Sequence, residues 1–215
     1  MPTSSHARYA GVDVGARKGF DVAVIDAHGL VAPPLRIAGA RDVVRWLHQR
    51  RPRVVAVDSP RRPAPDGGLS RKGERELVAA GVCGIRYTPD TATLGANPSY
   101  YAWIANGFRL YEALVAAGPS ARWEVIECFP TATWSLLGGR RGSRSRARWS
   151  RQVLETLGLQ GLPNRMNQDT RDAIGAACTA RLYDERQTES FDEIVVPLRS
   201  VGLILGAAGT TARPA

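Results

Sequence analysis

The amino-acid sequence predicts an α/β domain in which a central mixed β-sheet is flanked by helices. Near the N-terminus, short β-branched runs alternate with glycine-containing turns, a pattern that is typical of antiparallel strands. The apolar run Val54-Val-Ala-Val57 follows a helical pattern, which indicates a buried strand reached by a crossover and parallel to an earlier strand. A length of 215 residues and a hydrophobic fraction of 44% suit one domain with a sizeable core.

The first part of the chain predicts three antiparallel strands, a helix and a parallel strand. Their ranges in chain order are 8–14, 20–26 and 30–37 for the strands, 40–50 for the helix and 54–57 for the parallel strand. The helical spacing of Val43, Val44 and Leu47 identifies the helix, and prolines place the third strand at a sheet edge. This order of elements is that of the ribonuclease H-like (RNase H-like) fold.

Residues 61–122 are interpreted as a mostly helical insertion inside a single domain that spans residues 1–215. Prolines and glycines interrupt the pattern over 61–70, which predicts a long loop. The other predicted elements are helices over 72–80, 100–117, 131–138, 150–157 and 170–185, and strands over 124–129 and 193–196. Three aromatic residues at helical spacing are interpreted as core side chains, namely Trp103, Tyr111 and Trp134.

The formal net charge of +9 favours a polyanionic partner, and nucleic acid is the first candidate. The alternative is codon bias, because only Lys18 and Lys72 among the 29 basic residues are lysine, and a GC-rich genome produces the same excess of arginine.

Cysteine usage and the chain ends indicate a cytoplasmic protein. The three cysteines lie far apart without a Cys-x-x-Cys pair, which disfavours a disulfide framework and a structural zinc site. Residues 1–7 contain no apolar leader, and the apolar stretch at 201–208 is too short to span a bilayer. No membrane association is expected, and a homo-oligomer is compatible with the sequence.

Two aspartates stand at the ends of predicted strands. Asp13 ends the run Tyr9-Ala-Gly-Val-Asp13, and Asp58 ends the run Val54-Val-Ala-Val-Asp58. If these strands are parallel neighbours, about 4.8 Å apart, both carboxylates emerge together and can hold Mg²⁺ or Mn²⁺ through oxygen ligands. The alternatives are local: Asp13 caps the turn at Gly15, and Asp58 starts an Asx-turn.

Three further acids are candidates for the same site. Glu127 lies inside an apolar strand, where it faces either solvent or the acidic site. Asp169 and Asp172 are three residues apart and share one helix face. Their alternative role is to satisfy free N–H groups and the dipole at the start of that helix.

A cluster of arginines near residue 145 is a candidate nucleic-acid contact, with a tryptophan that can stack on a base. A solvated loop is the alternative. The candidate contacts are Arg140, Arg141, Arg144, Arg146, Arg148 and Trp149.

Six motifs in a fixed order carry a resemblance to a known family. They are Gly11-Val-Asp-Val-Gly15, Val57-Asp-Ser-Pro60, Arg71-Lys-Gly-Glu-Arg-Glu76, Thr88-Pro89, Glu127-Cys-Phe-Pro-Thr-Ala-Thr-Trp134 and Asp169-x-x-Asp-Ala173. The chain resembles domain-of-unknown-function family 429 (DUF429), described as predicted RNase H-like nucleases distantly related to RuvC-type resolvases. The resemblance runs from about Arg8 to Pro197.

This resemblance implies an RNase H-like fold and metal-dependent nuclease chemistry. Under it, Asp13 and Asp58 match the strand acids of the family, Glu127 matches a strand glutamate and Asp172 matches an acid of the C-terminal helix. Glu74 and Arg75 match a further pair to which no role is assigned.

The sequence thus predicts a Mg²⁺- or Mn²⁺-dependent nuclease that hydrolyses phosphodiester bonds in nucleic acid. Its expected metal ligands are Asp13, Asp58, Asp169 and Asp172, with Glu127 as an additional ligand or water-positioning base. One alternative is a phosphotransferase or ATPase of the actin-like type, which usually needs a duplicated fold. The other is a non-catalytic nucleic-acid-binding module.

Overall fold

The computed structural model describes residues 7–118 and 121–201, where it has seven strands and seven helices. The strands are β1 (Tyr9–Val14), β2 (Phe20–Ile25), β3 (Leu35–Ile37), β4 (Val54–Asp58), β5 (Glu124–Cys128), β6 (Thr188–Phe191) and β7 (Ile194–Pro197). The helices are α1 (Ala40–Arg50), α2 (Lys72–Ala79), α3 (Thr91–Ala96), α4 (Ala102–Ala116), α5 (Pro130–Gly138), α6 (Arg146–Thr156) and α7 (Gln168–Asp184). Nearly all of the N-terminal segment 1–7 and of the apolar stretch at 201–208 lies outside the described residues.

One mixed sheet carries the fold, with the strand order β3-β2-β1-β4-β5-β7-β6. Strands β1, β2 and β3 pair antiparallel, β4 runs parallel to β1, and β5 and β7 continue the parallel part. Strand β6 closes the far edge antiparallel to β7. The predicted mixed sheet of three antiparallel strands followed by parallel strands is therefore confirmed.

The structure differs from the sequence prediction most clearly in four elements, of which one is the short helix α3 (Thr91–Ala96) that was not predicted. The third strand is limited to Leu35–Ile37, because the proline pair just before it cannot donate to the ladder. Strand β6 was not predicted, since its polar run Thr188-Glu-Ser-Phe191 has no apolar alternation and pairs at a sheet edge. Helix α6 begins four residues earlier than predicted, because the Ser145 side chain accepts a hydrogen bond from the N–H of Arg148.

Helix α7 packs very closely on the middle of the sheet. A Cβ atom added to Gly11 on β1 would lie 2.0 Å from the carbonyl oxygen of Ala173, so only glycine fits at this crossing. The helix presents small residues here, including Ala176 and Ala177, which are fully buried. This close contact brings the N-terminal turns of α7 to the edge of the sheet where β1 and β4 end.

The segment between β4 and β5 contains the loop 61–71 and helices α2, α3 and α4. Helix α4 lies across the carboxyl ends of two central strands, where Asn106 Nδ2 donates to the carbonyl of Gly15 (2.9 Å) and the Tyr111 hydroxyl donates to that of Ser59 (3.1 Å). None of the helices within 7–118 and 121–201 is long and apolar enough to cross a membrane.

Candidate metal centre

Three aspartates converge at the carboxyl edge of the sheet. Asp13 and Asp58 lie directly opposite each other in the parallel β1–β4 pair, and Asp172 reaches them from the second turn of α7. One carboxylate oxygen from each lies within 4.8 Å of the other two. The parallel register, together with the close approach of α7 to Gly11, is what places these three side chains at one point.

A second group of acids shares Asp13. Asp21 lies opposite Asp13 in the antiparallel β1–β2 pair, and ligand oxygens of Asp13, Asp21 and Asp169 also lie within 4.8 Å of one another. The Arg36 guanidinium already pairs with two members of this group, at 2.6 Å from Asp21 and 3.1 Å from Asp169. Much of the negative charge of the second group is therefore offset by the protein itself.

The local capping roles that the sequence left open are filled by other atoms. The N–H of Gly15 donates to the carbonyl of Gly19 at 2.9 Å, so this N–H of the turn does not need Asp13. The N-cap of α7 is Asn167, whose side chain accepts from the N–H of Thr170 at 2.7 Å. Asp13 is therefore not needed for this N–H of the turn, and neither acid of α7 is its N-cap.

Burial raises the pKa values of all three aspartates, and repulsion between their charges adds to this effect at Asp13 and Asp58. Burial is the main cause that raises the pKa of Asp13, followed by the nearby charges of Asp58 and Asp172. Burial and the charge of Asp172 likewise raise the pKa of Asp58. Arg146 pairs with Asp172 and offsets one of the three charges. A divalent cation would neutralise the negative charge that remains.

Asp172 is fixed in place by donors on both of its oxygens. Oδ1 accepts from the indole N–H of Trp134 (2.9 Å) and the amide of Gln168 (2.8 Å), and Oδ2 accepts from Arg146 (2.8 Å). Burial nevertheless raises the pKa of this carboxyl, although Arg146 and Trp134 act in the opposite direction. The side chain is thus held in one orientation while its oxygens remain among the converging ligand atoms.

Glu127 is bound by arginine instead of joining the aspartates. Its Oε2 accepts from Arg71 Nη1 and from the backbone N–H of Arg61, both at 2.8 Å, and its Oε1 pairs with Arg71 Nη2. Arg71 also donates from Nε to Glu74 at 3.0 Å. Glu127 also belongs to neither group of converging ligand oxygens, so the structure gives no support to its predicted role as an additional ligand or water-positioning base.

The Arg71–Glu74–Glu127 cluster gives Glu74 a structural role. All three side chains are buried, and Glu74 also accepts from the N–H of Thr88 at 3.0 Å. The cluster ties the start of α2 to β5 behind the aspartates. Arg75, the neighbour that the family resemblance also matched, is exposed and donates to Ser70.

The predicted arginine cluster divides into different environments. Arg146 is the member that reaches the aspartates, and Arg144 donates to backbone carbonyls of its own loop. The other three are exposed, namely Arg140, Arg141 and Arg148. Trp149 is only 3% exposed and its indole N–H donates to the carbonyl of Gly139, so the prediction that it stacks on a base is wrong.

Two residues near the centre were missed in the sequence. Asp21 could have been found by register, because a hairpin centred on residue 17 pairs position 13 with position 21. Arg71 carries no local signal, since its partner Glu127 is 56 residues away in the chain. The interpretation of Trp103 also changes: unlike Tyr111 and Trp134, which are buried as predicted, Trp103 is half-buried and lines the cavity above the aspartates.

Comparison with solved structures identifies the architecture. The structure of Thermus thermophilus RuvC in complex with a Holliday junction substrate has a TM-score of 0.50 and 18% sequence identity, and the match covers 84% of this chain and 96% of that one. The fold is RNase H-like. A further Thermus thermophilus RuvC structure matches with a TM-score of 0.44 and 20% identity, over 83% and 96% of the two chains.

In this RNase H-like chain, the acidic centre lies at the carboxyl ends of β1 and β4, where the parallel and antiparallel parts of the sheet meet. No protein-family model matches the chain, and no curated protein matches it in sequence. The resemblance to DUF429 therefore stays a prediction, whereas the predicted fold is confirmed.

Proposed function

We propose that this protein is a divalent-metal-dependent nuclease that hydrolyses phosphodiester bonds in nucleic acid. The observation that carries the proposal is the convergence of Asp13, Asp58 and Asp172, whose ligand oxygens lie within 4.8 Å of one another. The actin-like alternative is less favoured, because the described residues form one seven-stranded sheet without a duplicated unit.

The donor set fits Mg²⁺ or Mn²⁺. All the ligand atoms are carboxylate oxygens, which these hard cations prefer, and no histidine or cysteine belongs to either acidic group. A bound ion would supply Lewis acidity at a phosphoryl oxygen and a lowered pKa for its water. The group with Asp58 and Asp172 is the main site in this proposal, because Arg146 pairs with one of its three acids, whereas Arg36 pairs with two acids of the other group.

The chain's own residues would hold the ion and orient the phosphate. Asp13 belongs to both acidic groups, so it would be the ligand shared between two ion positions, with Asp169 contributing to the second. Arg146 lies 2.8 Å from Asp172, where its guanidinium can also pair with a phosphate oxygen of the scissile group. Hydrolysis adds a water oxygen to phosphorus and breaks the bond to one sugar oxygen, which takes up a proton.

Nucleic acid as the partner is supported by charge and by analogy. Basic side chains at the border of the acidic cavity include Arg17, Lys18, Arg86 and Arg146. The RuvC structure with the same fold holds a Holliday junction substrate, which is a property of that protein. A cavity with an anionic floor and cationic borders matches a phosphate backbone that bridges to metal ions.

Cleavage assays test this proposal directly. Purified protein is incubated with labelled single-stranded, duplex, RNA–DNA hybrid and branched substrates, with Mg²⁺, Mn²⁺ or EDTA. We expect cleavage of at least one substrate with Mg²⁺ or Mn²⁺ and none with EDTA. Equal cleavage in EDTA, or intact substrates throughout, would contradict the proposal.

Metal binding is expected to release protons. The pKa values of Asp13 and Asp58 are raised, so these carboxyls bind protons at pH values where an ordinary aspartate is ionised. A cation must displace those protons, and its affinity therefore rises with pH through neutral and mildly alkaline conditions. Titration calorimetry with Mn²⁺ in two buffers of different ionisation enthalpy should show release of about one proton per ion near pH 7.

The raised pKa values also fix the sign of the stability change in the metal-free protein. At these two carboxyls the folded state binds protons more tightly than the unfolded state. The stability that they contribute is therefore fully present below the ordinary pKa of aspartate and is lost as the pH rises through their folded-state pKa values. Saturating Mn²⁺ should remove that decline. Buffer-independent binding heats together with a pH-independent affinity would refute this account of the centre.

A further inference from the structure

The cavity above the aspartates has an aromatic wall that the proposed chemistry does not use. It encloses about 720 Å³ and is lined on the insertion side by Trp103, Ile85 and Arg86. Trp103 is half-buried, and its indole N–H has no hydrogen-bond partner within the described ranges. A tryptophan that keeps its ring at the opening of a polar cavity offers a flat apolar surface to a ligand.

The position of Trp103 is fixed by the packing of α4. Asn106, one helical turn further along, donates to the carbonyls of Gly15 and Ala16. Gly107 lies against Ser59, where an added Cβ would be 1.8 Å from the hydroxyl oxygen. These contacts anchor α4 on the ends of β1 and β4, so Trp103 is held beside the acidic centre by a rigid element.

The same border carries cations that the protein leaves unpaired. Arg17 and Lys18 belong to the β1–β2 turn that α4 contacts, are exposed, and form no ion pair with any described acid. Arg86 has no acidic partner in the described chain either, and its guanidinium stacks 5.3 Å from the ring centre of Tyr100, which is 57% exposed. Three cations without an acidic partner in the described ranges thus line the same cavity as an aromatic ring, a combination that suits a flexible phosphate backbone and its bases.

We propose that Trp103 stacks on an unpaired base of the substrate, so that this cavity selects strands with single-stranded character. The inference rests on the proposed nuclease function and specifies its substrate class. In a duplex, both faces of each base are covered by neighbouring bases, and a base must leave the stack before its face can meet the indole ring. Arg17, Lys18 and Arg86 would hold the phosphates on either side of that base.

DNA and RNA share the chemistry that this site recognises, namely a π-face next to a phosphate. Stacking on tryptophan is tolerant of base identity, so the site by itself predicts little sequence preference. Binding titrations with DNA and RNA strands of the same sequence show which of the two nucleic acids binds more tightly. A preference for either one is compatible with the stacking site.

Binding measured in EDTA tests this inference without requiring cleavage. The full chain is titrated into end-labelled single strands, matched duplexes, and abasic strands of the same length that keep the phosphates and lack bases. We expect tighter binding of the base-containing single strand than of the other two. Trp103→Ala should weaken binding of that strand by about 5- to 100-fold and leave the abasic strand unaffected.

A matched variant and a second readout keep the test decisive. Trp123 is another half-buried tryptophan, but it lies just before β5, at the amino ends of the parallel strands, whereas the aspartates lie at the carboxyl ends. Trp123→Phe should therefore bind like the wild type. Quenching of tryptophan fluorescence by the base-containing strand should disappear in Trp103→Phe, which keeps a ring and a packed helix. Equal affinity for duplex and single strand, or unchanged quenching in Trp103→Phe, would overturn the inference.

The outcomes also separate this inference from the nuclease proposal. If Trp103-dependent binding of unpaired bases is found but no substrate is cleaved, the cavity is a binding site and the proposed hydrolysis fails. If cleavage is metal-dependent and duplexes are cleaved as well as single strands in wild type and Trp103→Ala alike, the nuclease stands and the stacking site is wrong.

Discussion

Replacing Arg71 by methionine is expected to lower the free energy of unfolding by about 3–5 kcal/mol. The substitution keeps most of the buried volume but removes the only cation that pairs with Glu74 and Glu127 among the described residues. Both carboxylates are buried, with 1% and 3% exposure, so each would be left as an uncompensated charge. Thermal unfolding should show a midpoint lowered by on the order of 10 °C.

The control for this change lies on the same helix. Arg75 is exposed and, among the described residues, its side chain donates hydrogen bonds to Ser70 alone, so Arg75→Met should alter stability by less than about 0.5 kcal/mol. Adding Glu127→Gln to Arg71→Met should recover part of the lost stability, because it removes one of the two buried carboxylates that have lost their cationic partner. The cluster would have no structural role if Arg71→Met unfolded at the wild-type temperature.

The pH dependence of that loss has a defined sign. Burial already raises the pKa of Glu127 even with Arg71 beside it. Without the guanidinium that pKa rises further, so the folded variant is stabilised by protonation. The destabilisation caused by Arg71→Met should therefore shrink as the pH falls and be largest at neutral and alkaline pH.

Asp13→Asn and Asp58→Asn are each expected to reduce metal-dependent cleavage by about 10²- to 10³-fold or more. Each change removes one anionic ligand oxygen from the group that also contains Asp172 and keeps the shape of the side chain. The loss should appear at saturating substrate, because the missing interaction acts on the reacting phosphate. Single-turnover cleavage of the best substrate from the panel is the measurement.

A stability measurement on the same variants shows whether a loss of cleavage is caused by unfolding. The pKa of Asp13 is raised by burial and by neighbouring acids, so its charge destabilises the metal-free protein at neutral pH. Asp13→Asn should then unfold at the same or a higher temperature in EDTA, and it should lose the stabilisation by Mn²⁺. Asp42→Asn, an exposed change on α1, should cleave like the wild type. Full activity of Asp13→Asn would exclude the proposed centre.

Much of the fold could be predicted from the sequence because its central strands carry strong local signals. Val54–Val57 is continuously apolar, and the turn at Gly15–Gly19 separates two β-branched runs. The edge strand β6 has no such signal, because a polar strand at an edge is defined by its partner β7. Hydrophobic patterns in the sequence therefore reveal buried strands. They do not reveal a polar edge strand, which is recognised only by its pairing with a neighbour.

The part of the candidate site that the sequence predicted consists of acids at the ends of strands and near the start of a helix. Asp13 and Asp58 were named because a parallel sheet collects the carboxyl ends of its strands at one edge. Asp172 was named because it shares a helix face with Asp169 and matches an acid of the resembling family. Glu127 was a candidate for the same site because it lies inside an apolar strand, but Arg71, from the segment between β4 and β5, binds it. Contacts between distant segments of the chain, which sequence patterns do not show, decide which of the acids converge at one point.

The most direct test of the central claim is a crystal soaked in Mn²⁺ and measured at a wavelength where manganese scatters anomalously. We expect an anomalous peak between the carboxylates of Asp13, Asp58 and Asp172, within the ordinary bonding distance of about 2.0–2.3 Å from an oxygen of each. A well-diffracting soaked crystal with no peak there, or with manganese bound only elsewhere on the surface, would contradict it.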